Sequence, residues 1–290
     1  MDLFIQQLAS GIGIGAIYAS LALALVFIFR STGVINFAQG EMAMFSAFLA
    51  WQFTTWGLPL LLAALVAIAV SFVAGLIIQL ATIRPVQEKD QLSVVAVTVG
   101  LFILINALAG FIWSYHTKAV ASPFPNSLAV GPVNGQIVGT LLLSLAVVVI
   151  FALVLKKTKL GLAMRAAAQV PASSRLVGVR VWMILAVGWG FAAALGAVSG
   201  ILIAPQVMLE PNMMALVMVY AFASAALGGL DSLIGAVVGG ILVGVSETLA
   251  GSYIPFIGSD LKVLVPLAII FLVLLVKPEG LFGRKRIERV

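Results

Sequence analysis

The sequence has no cysteine and a single histidine, His116. Disulfide and thiolate chemistry are therefore excluded, and a histidine-based metal cluster cannot be assembled. Charge is almost as scarce. Asp, Glu, Lys and Arg make up 9% of the chain, where a soluble domain carries roughly 25%, so there are too few ionic groups to cover a water-facing surface. Alternating segments of about ten residues, the mark of a membrane β-barrel, are absent. No G-x-x-x-x-G-K-[ST] loop occurs, so no phosphate cradle of that kind is encoded. No basic stretch precedes the first apolar run, which begins near Leu8 with only Asp2 as a charge before it. A cleavable leader needs such a stretch, and the run is expected to remain as a first helix.

What is present is apolar. Hydrophobic residues form 63% of the 290, and the mean hydropathy is +1.22. The runs are about 20 residues long, enough to cross a hydrocarbon core about 30 Å thick. They fall at 8–29, 36–55, 58–81, 92–114, 136–155, 181–204, 213–229, 233–250 and 261–276. The fold class expected is all-α: a polytopic transmembrane helical bundle of about 8–9 membrane segments, forming one membrane domain over residues 1–290. The run 213–229 is short, ends at Gly228-Gly229 and is followed at once by 233–250. A re-entrant pair is the alternative to two full spans there, and it leaves the parity of the topology unchanged. Such a pair would have to be lined by protein or a water-filled cavity.

Sixteen Lys and Arg against ten acids leave a net charge of +6. Six of these cations lie in 156–180, which holds no acid, and five in 277–290; Arg84 and Lys89 flank a turn, and Arg30 closes the first run. Basic clusters in alternate loops are the positive-inside pattern. The charge thus reports orientation in lipid and implies no nucleic-acid partner. Nine crossings that start outside put the N-terminus outside and the basic tail 277–290 in the cytoplasm. The Pro-rich loop 115–135 lies outside.

Small residues recur at helix-packing spacing: Gly11 and Gly15, Gly196 and Gly200, Gly235 and Gly239, Gly240 and Gly244. Lipid gives helices no hydrophobic reason to associate, so close backbone approach supplies the attraction. Tight packing within the chain is the expectation, with a seam between subunits as the alternative.

The segment 156–180, "KKTKLGLAMRAAAQVPASSRLVGVR", is too polar to enter lipid. Leu160, Ala163, Met164 and Ala167 recur at helical spacing until Pro171 breaks the run, and a second short turn, 172–177, leads to Gly178. Two short amphipathic helices joined at a proline fit this pattern. A basic amphipathic helix can lie on anionic lipid. The sharper reading is a knob that docks in a groove of a cytoplasmic partner, with Arg165 pairing with the partner's acids.

Five stretches in order carry a resemblance. They are "GIGIGAIYASLALALVFIFRSTGVINFAQGEMAMFSAF", "RPVQEKDQL" with "VTVG", "GLAMRAAAQVPASSRLVGV", "ALGGLDSLIGAVVGGILVGVSE" and "LLVKPEGLFG". Along its whole length the chain resembles the permease subunit of branched-chain (hydrophobic) amino acid ABC importers. The resemblance implies a bacterial-type inner-membrane importer of several chains. A second permease, often a different one, completes the pathway. Two cytoplasmic ABC ATPases bind ATP and magnesium, so no cofactor belongs to this chain, and an external binding protein delivers the solute. The third stretch is similar to the family's ATPase-coupling segment, which carries that role to Gly161, Met164, Arg165, Ala166, Pro171 and Gly178. There are departures. Gln39 stands where the family commonly has His, Gln169 and Val170 where acids are common, and Asp231 where a small residue is usual. The first and third bear on the solute, since relatives carry urea, amides or aromatic acids instead.

Asn36, Gln39 and Glu41 are polar residues beside an apolar run. Asn36 to Gln39 reads as a helix cap, in which Asn accepts from an early backbone N–H and Gln reaches back. Glu41 then sits in the second turn, where the positive helix end favours a carboxylate. This cap lies just inside the cytoplasmic face, and the same three residues are pathway candidates at the inner mouth. Glu247 is deeper, well within 233–250. A carboxyl there needs a hydrogen-bonding partner and avoids lipid, so it is expected to face the subunit interior or the outer vestibule. Glu210 and Asp260 fall in outer loops within reach of a binding protein. A secondary carrier driven by an ion gradient is the first rival reading, but it usually needs several ionisable groups at membrane depth. A membrane-embedded enzyme would need clustered catalytic groups, and none is seen.

Overall fold

The computed structural model describes residues 2–283 except 88, 125, 132, 170 and 259. Among the described residues the regular structure is helical, with only the isolated antiparallel bridges Lys118 to Leu209 and Val130 to Val133. In chain order the helices are α1 (Asp2–Thr32), α2 (Gln39–Thr55), α3 (Leu60–Ile78), α4 (Gln91–Trp113), α5 (Gly135–Lys157), α6 (Lys159–Gln169), α7 (Pro171–Leu176), α8 (Val181–Val207), α9 (Met214–Gly228), α10 (Leu233–Tyr253) and α11 (Leu264–Val276). Among the described residues six helices are long and apolar enough to cross a membrane: α1, α3 with its extension to Ile83, α4, α5, α8 and α10. The helices α2, α9 and α11 have 17, 15 and 13 residues, which at about 1.5 Å per residue makes each shorter than the hydrocarbon core.

Local chemistry explains where these helices stop and start. α1 outruns the apolar stretch 8–29 at both ends and finishes at Gly33. The positive φ of +73° there suits glycine, and the Gly33 N–H returns to the Phe29 carbonyl at 2.7 Å, closing the last turn. α3 runs into a π-turn, Gln79–Ile83, before Arg84-Pro85 ends it. α4 is capped by Asp90, whose carboxylate accepts from the Ser93 N–H at 3.3 Å. The Ser93 hydroxyl donates to the same carboxylate and holds it below the usual carboxylate range. Ser232 caps α10 by accepting from the Gly235 N–H at 3.0 Å.

The chain forms two compact units, each assembled from separate stretches. The first comprises residues 1–26, 124–143 and 216–290. Glycines set its helix contacts. A Cβ on Gly15 would lie 2.8 Å from the Gly240 oxygen, and one on Gly240 would lie 2.4 Å from the Ala19 Cα. On the other side of α10, a Cβ on Gly239 would come within 2.1 Å of the Ser224 oxygen of α9. These small-residue pairs are therefore used for packing within one chain. The turn 279–283 closes the end of α9, where Leu281 and Phe282 donate to the Leu227 and Gly228 carbonyls at 2.8 and 3.1 Å. These are carbonyls a helix end leaves without partners. The Gly-Gly pair and the closing Pro-x-Gly-Leu-x-Gly stretch, far apart in sequence, thus form one structural element. Residues 284–290 of the basic tail lie outside the described residues.

The second unit comprises residues 27–123 and 144–215. Here α8 is the central element, with Trp189 fully buried among its neighbours. Gly190 of α8 and Gly75 of α3 let those two helices approach, and Gly196 and Gly200 of α8 admit α2. A Cβ on Gly200 would lie 2.3 Å from the Ala43 oxygen. α2 is further held to α4 by Phe48, stacked on Trp113 with ring centroids 4.9 Å apart, and by the indole N–H of Trp113, which donates to Gln52 at 2.9 Å.

Candidate functional site

Asn36 and Gln39 are fully buried, and their arrangement corrects the expected cap. The N-cap position of α2 is Ala38, which makes no side-chain cap bond. The Asn36 Oδ1 instead accepts from the Ala38 N–H at 3.1 Å, an Asx-turn that shapes the approach to the helix. Its Nδ2 donates to the Gln39 Oε1 at 3.2 Å, and the Gln39 Nε2 donates to the Ala192 carbonyl of α8 at 2.9 Å. The amide of Gln39 therefore binds across to another helix, and it fits because position 196 has no Cβ: one there would lie 2.7 Å from the Gln39 Nε2.

The start of α2 is level with inner turns of its neighbours. Ala192 lies about three turns into α8, and the partner of Glu41, Asn106, lies about four turns into α4. By these markers α2 starts well inside the span of its neighbours, and the non-helical stretch 33–38 climbs to meet it. Irregular backbone is tolerated at such depth when protein surrounds it, and Val34, Asn36 and Ala38 are buried.

Glu41 is 2% exposed. It accepts from the Asn106 Nδ2 at 3.2 Å. The same amide donates to the Pro211 carbonyl at 3.0 Å and reaches the Asn212 Oδ1 at 3.2 Å, while the Tyr115 hydroxyl donates to the Asn106 Oδ1 at 3.1 Å. Asn106 is the hub of this cluster, and sequence reasoning missed it. An amide in the middle of "LFILINALAG" was the available signal.

Glu247 is turned into the protein, 8% exposed. The Tyr18 hydroxyl donates to its Oε2 at 2.9 Å, and the Tyr18 ring lies on Tyr220 with centroids 4.9 Å apart and planes 2° from parallel. Two tyrosines from α1 and α9 thus supply the partner and the wall of the buried acid on α10. The sequence holds only four tyrosines, and one within an apolar helix calls for a polar partner.

A further polar row was not read from the sequence. On α5, Gln136, Thr140 and Ser144 recur at four-residue spacing, which places them on one helix face. Their Nε2, Oγ1 and Oγ atoms are buried without a hydrogen-bond partner.

The segment 156–180 contains two short helices, α6 and α7, as the pattern suggests, and its Arg165 already has a partner within the chain. Met164 and Ala167 are buried. Arg165 donates through Nη1 to the Leu155 carbonyl in the last turn of α5, and it caps that helix end as a cation should. A Cβ on Gly161 would lie 2.3 Å from the same carbonyl oxygen. Gly161 and Arg165, one turn apart, therefore clamp α6 to α5, and Ala166 is half-buried beside them. What faces outward is Leu162, Val177 and Leu176, the last 89% exposed. Gly178 closes α7 with a φ of +83°.

A chain of the solved structure "PsaBC from Streptococcus pneumoniae in complex with Fab" matches with a TM-score of 0.50 at 14% identity, covering 94% of this chain and 91% of that one; the likeness is one of fold. A sequence profile described as "Branched-chain amino acid transport system / permease component" matches residues 7–274. The chain belongs to this family. The permease is 30% identical to the high-affinity branched-chain amino acid transport system permease protein BraD of Pseudomonas aeruginosa, over 99% of this chain and 98% of that protein. It is 28% identical to LivH of Escherichia coli K12, again over 99% and 98%. To a probable branched-chain amino acid transport permease, LivH of Methanocaldococcus jannaschii, it is 29% identical over 91% of this chain and 87% of that one. Family membership and the apolar helices make the chain a transport subunit of multi-pass, inner-membrane type.

Proposed function

We propose that this permease forms part of the path by which an ATP-driven importer carries branched-chain or related hydrophobic amino acids across the inner membrane. What carries the reading is likeness along nearly the whole chain to proteins named as branched-chain amino acid permeases. A second permease subunit completes the path. Two cytoplasmic ABC ATPases hold ATP and magnesium, and an external binding protein delivers the solute. This chain contributes no chemical step. In this reading the basic loops lie on the cytoplasmic side, which takes the N-terminus outside and the C-terminus into the cytoplasm.

In this reading the exposed Leu162, Leu176 and Val177 form the apolar knob that seats in an ATPase groove. Gly161 and Arg165 hold that knob rigidly to α5, so ATPase movement is passed to a membrane helix. Met164 packs α6 from beneath, and Pro171 and Gly178 delimit α7. The polar groups at depth serve the path. Asn36, Gln39 and Glu41 fix the start of α2, Glu247 fixes α1 against α10, and the unpaired face of α5 offers donors and acceptors to a small zwitterion. Reconstitution tests the whole. With ATPases, second permease and binding protein present, leucine accumulates in proteoliposomes only when ATP is hydrolysed. Uphill uptake by this chain alone under a proton or sodium gradient would overturn the reading in favour of a secondary carrier.

A further inference from the structure

Where α3 ends and α8 begins, the second unit contains a cavity of about 340 Å³ lined by Arg84, Gln87, Arg175, Arg180 and Trp182. Three of the lining residues are arginines, and no carboxylate is among the described residues that line it. Asp90 is not among the lining residues and caps α4. Glu88 lies outside the described residues. A positive cavity of this kind calls for an anion.

The geometry narrows the anion. The Arg84 guanidinium carbon lies 4.8 Å from the centre of the Trp182 ring. A guanidinium held over an indole ring has N–H donors to spare for oxygen acceptors, and its fork suits the oxygens of a phosphate. The Gln87 Oε1 accepts from the Gln79 Nε2 at 3.2 Å, so the donor end of that amide remains for the cavity. Val181 opens α8 without a side-chain cap from Arg180, so the positive end of the helix adds to the field. Beside the cavity, Trp182, Met183 and Ile77 are exposed on helices long enough to span a membrane. An apolar surface therefore leads away from a cationic cup, and a tryptophan marks the boundary between them, as at membrane interfaces.

We infer that this cavity binds a phosphate group, and that its source is the headgroup of an anionic phospholipid in the cytoplasmic leaflet. The inference uses the orientation proposed above but none of the solute assignments. A lipid seated there would tie the base of α8 and the end of α7 to the membrane surface, next to the segment proposed to meet the ATPase.

The test uses the full chain purified in detergent, titrated separately with phosphatidylglycerol, phosphatidylcholine and inorganic phosphate. Unfolding temperature and lipid adducts in native mass spectrometry are the readouts. Phosphatidylglycerol at a hundredfold excess over its dissociation constant is expected to raise the unfolding temperature by about 5 °C, with a retained adduct, and phosphatidylcholine is not. Arg84→Gln with Arg180→Gln loses both effects. Lys156→Gln with Lys157→Gln removes the same charge elsewhere and keeps both. Should the arginine pair fail to fold when neutralised, Arg84→Lys with Arg180→Lys keeps the charge and loses the fork, and is expected to bind about tenfold more weakly. A shift with inorganic phosphate alone, lost in the arginine variant, supports the phosphate site and assigns it a soluble source. Equal loss in the arginine and lysine variants, or no preference for phosphatidylglycerol in the wild type, overturns the proposal. So does an arginine variant that keeps the lipid shift but no longer binds the ATPase, since the cavity would then receive a protein acid.

Discussion

The Tyr18 hydroxyl donates a 2.9 Å hydrogen bond to the Glu247 carboxylate, joining the first long helix to the tenth across 229 residues of sequence. Both groups are buried. Tyr18→Phe removes the donor and leaves the acid without it, which is expected to cost about 1–3 kcal/mol. Glu247→Gln keeps an acceptor oxygen and should cost less. Melting curves of the two variants in one detergent check the order. Uptake and ATPase coupling of Glu247→Gln both at wild-type levels would leave Glu247 a purely structural residue.

Gly240→Ala places a methyl group against the Ala19 backbone of α1. The two helices cannot separate without losing the rest of their contact, so a loss of about 2 kcal/mol or more is expected. Gly100→Ala is the control: a Cβ there meets nothing within 4 Å, and replacing a helical glycine should stabilise by up to about 1 kcal/mol. The folded fraction after heating separates the two.

Arg165→Ala frees the end of α5. Amide exchange in 159–169 is expected to accelerate while the protein stays in the membrane, and ATP-dependent uptake should fall about tenfold with hydrolysis retained. Leu176→Asp should weaken ATPase association without changing that exchange. If Arg165→Ala leaves uptake intact, the clamp has no part in coupling.

Asn106→Leu deprives Glu41 of its donor and Pro211 of its cross-link. A stability loss of about 2–3 kcal/mol is expected, larger than for Tyr115→Phe, which removes one bond to the same amide. Thermal unfolding of the two variants decides whether Asn106 is the hub.

Thr140→Val replaces a buried hydroxyl without a partner by a methyl group of the same shape. Relief of that desolvation should stabilise the protein by about 1 kcal/mol. Uptake should fall if the hydroxyl serves the solute. Greater stability with unchanged uptake would take the face of α5 out of the path.

Much of the fold was readable because it depends on local composition. A run of about 20 apolar residues makes a helix wherever it sits in lipid, and a proline at position 171 announces the start of a new helix, since its fixed φ suits a first helical position. The candidate site was less readable. Asn36 and Gln39 have the letters of a cap, yet Gln39 reaches Ala192, 153 residues away. Nothing local distinguishes an amide that folds back from one that crosses to another helix. Arg165 looks like a charge offered to a partner, but its length lets it reach the end of the preceding helix, and the absence of a Cβ at Gly161 lets α6 lie close enough.

By itself the sequence determined the membrane class, the helical segments and the uneven spread of basic residues, since hydrophobic length and loop charge act residue by residue. Only the tertiary structure decided that α2 begins at depth, that Tyr18 and Tyr220 enclose Glu247, and that α6 turns its arginine inward. Those outcomes depend on which glycines let which helices touch, and close approach between distant segments is a property of the packed chain.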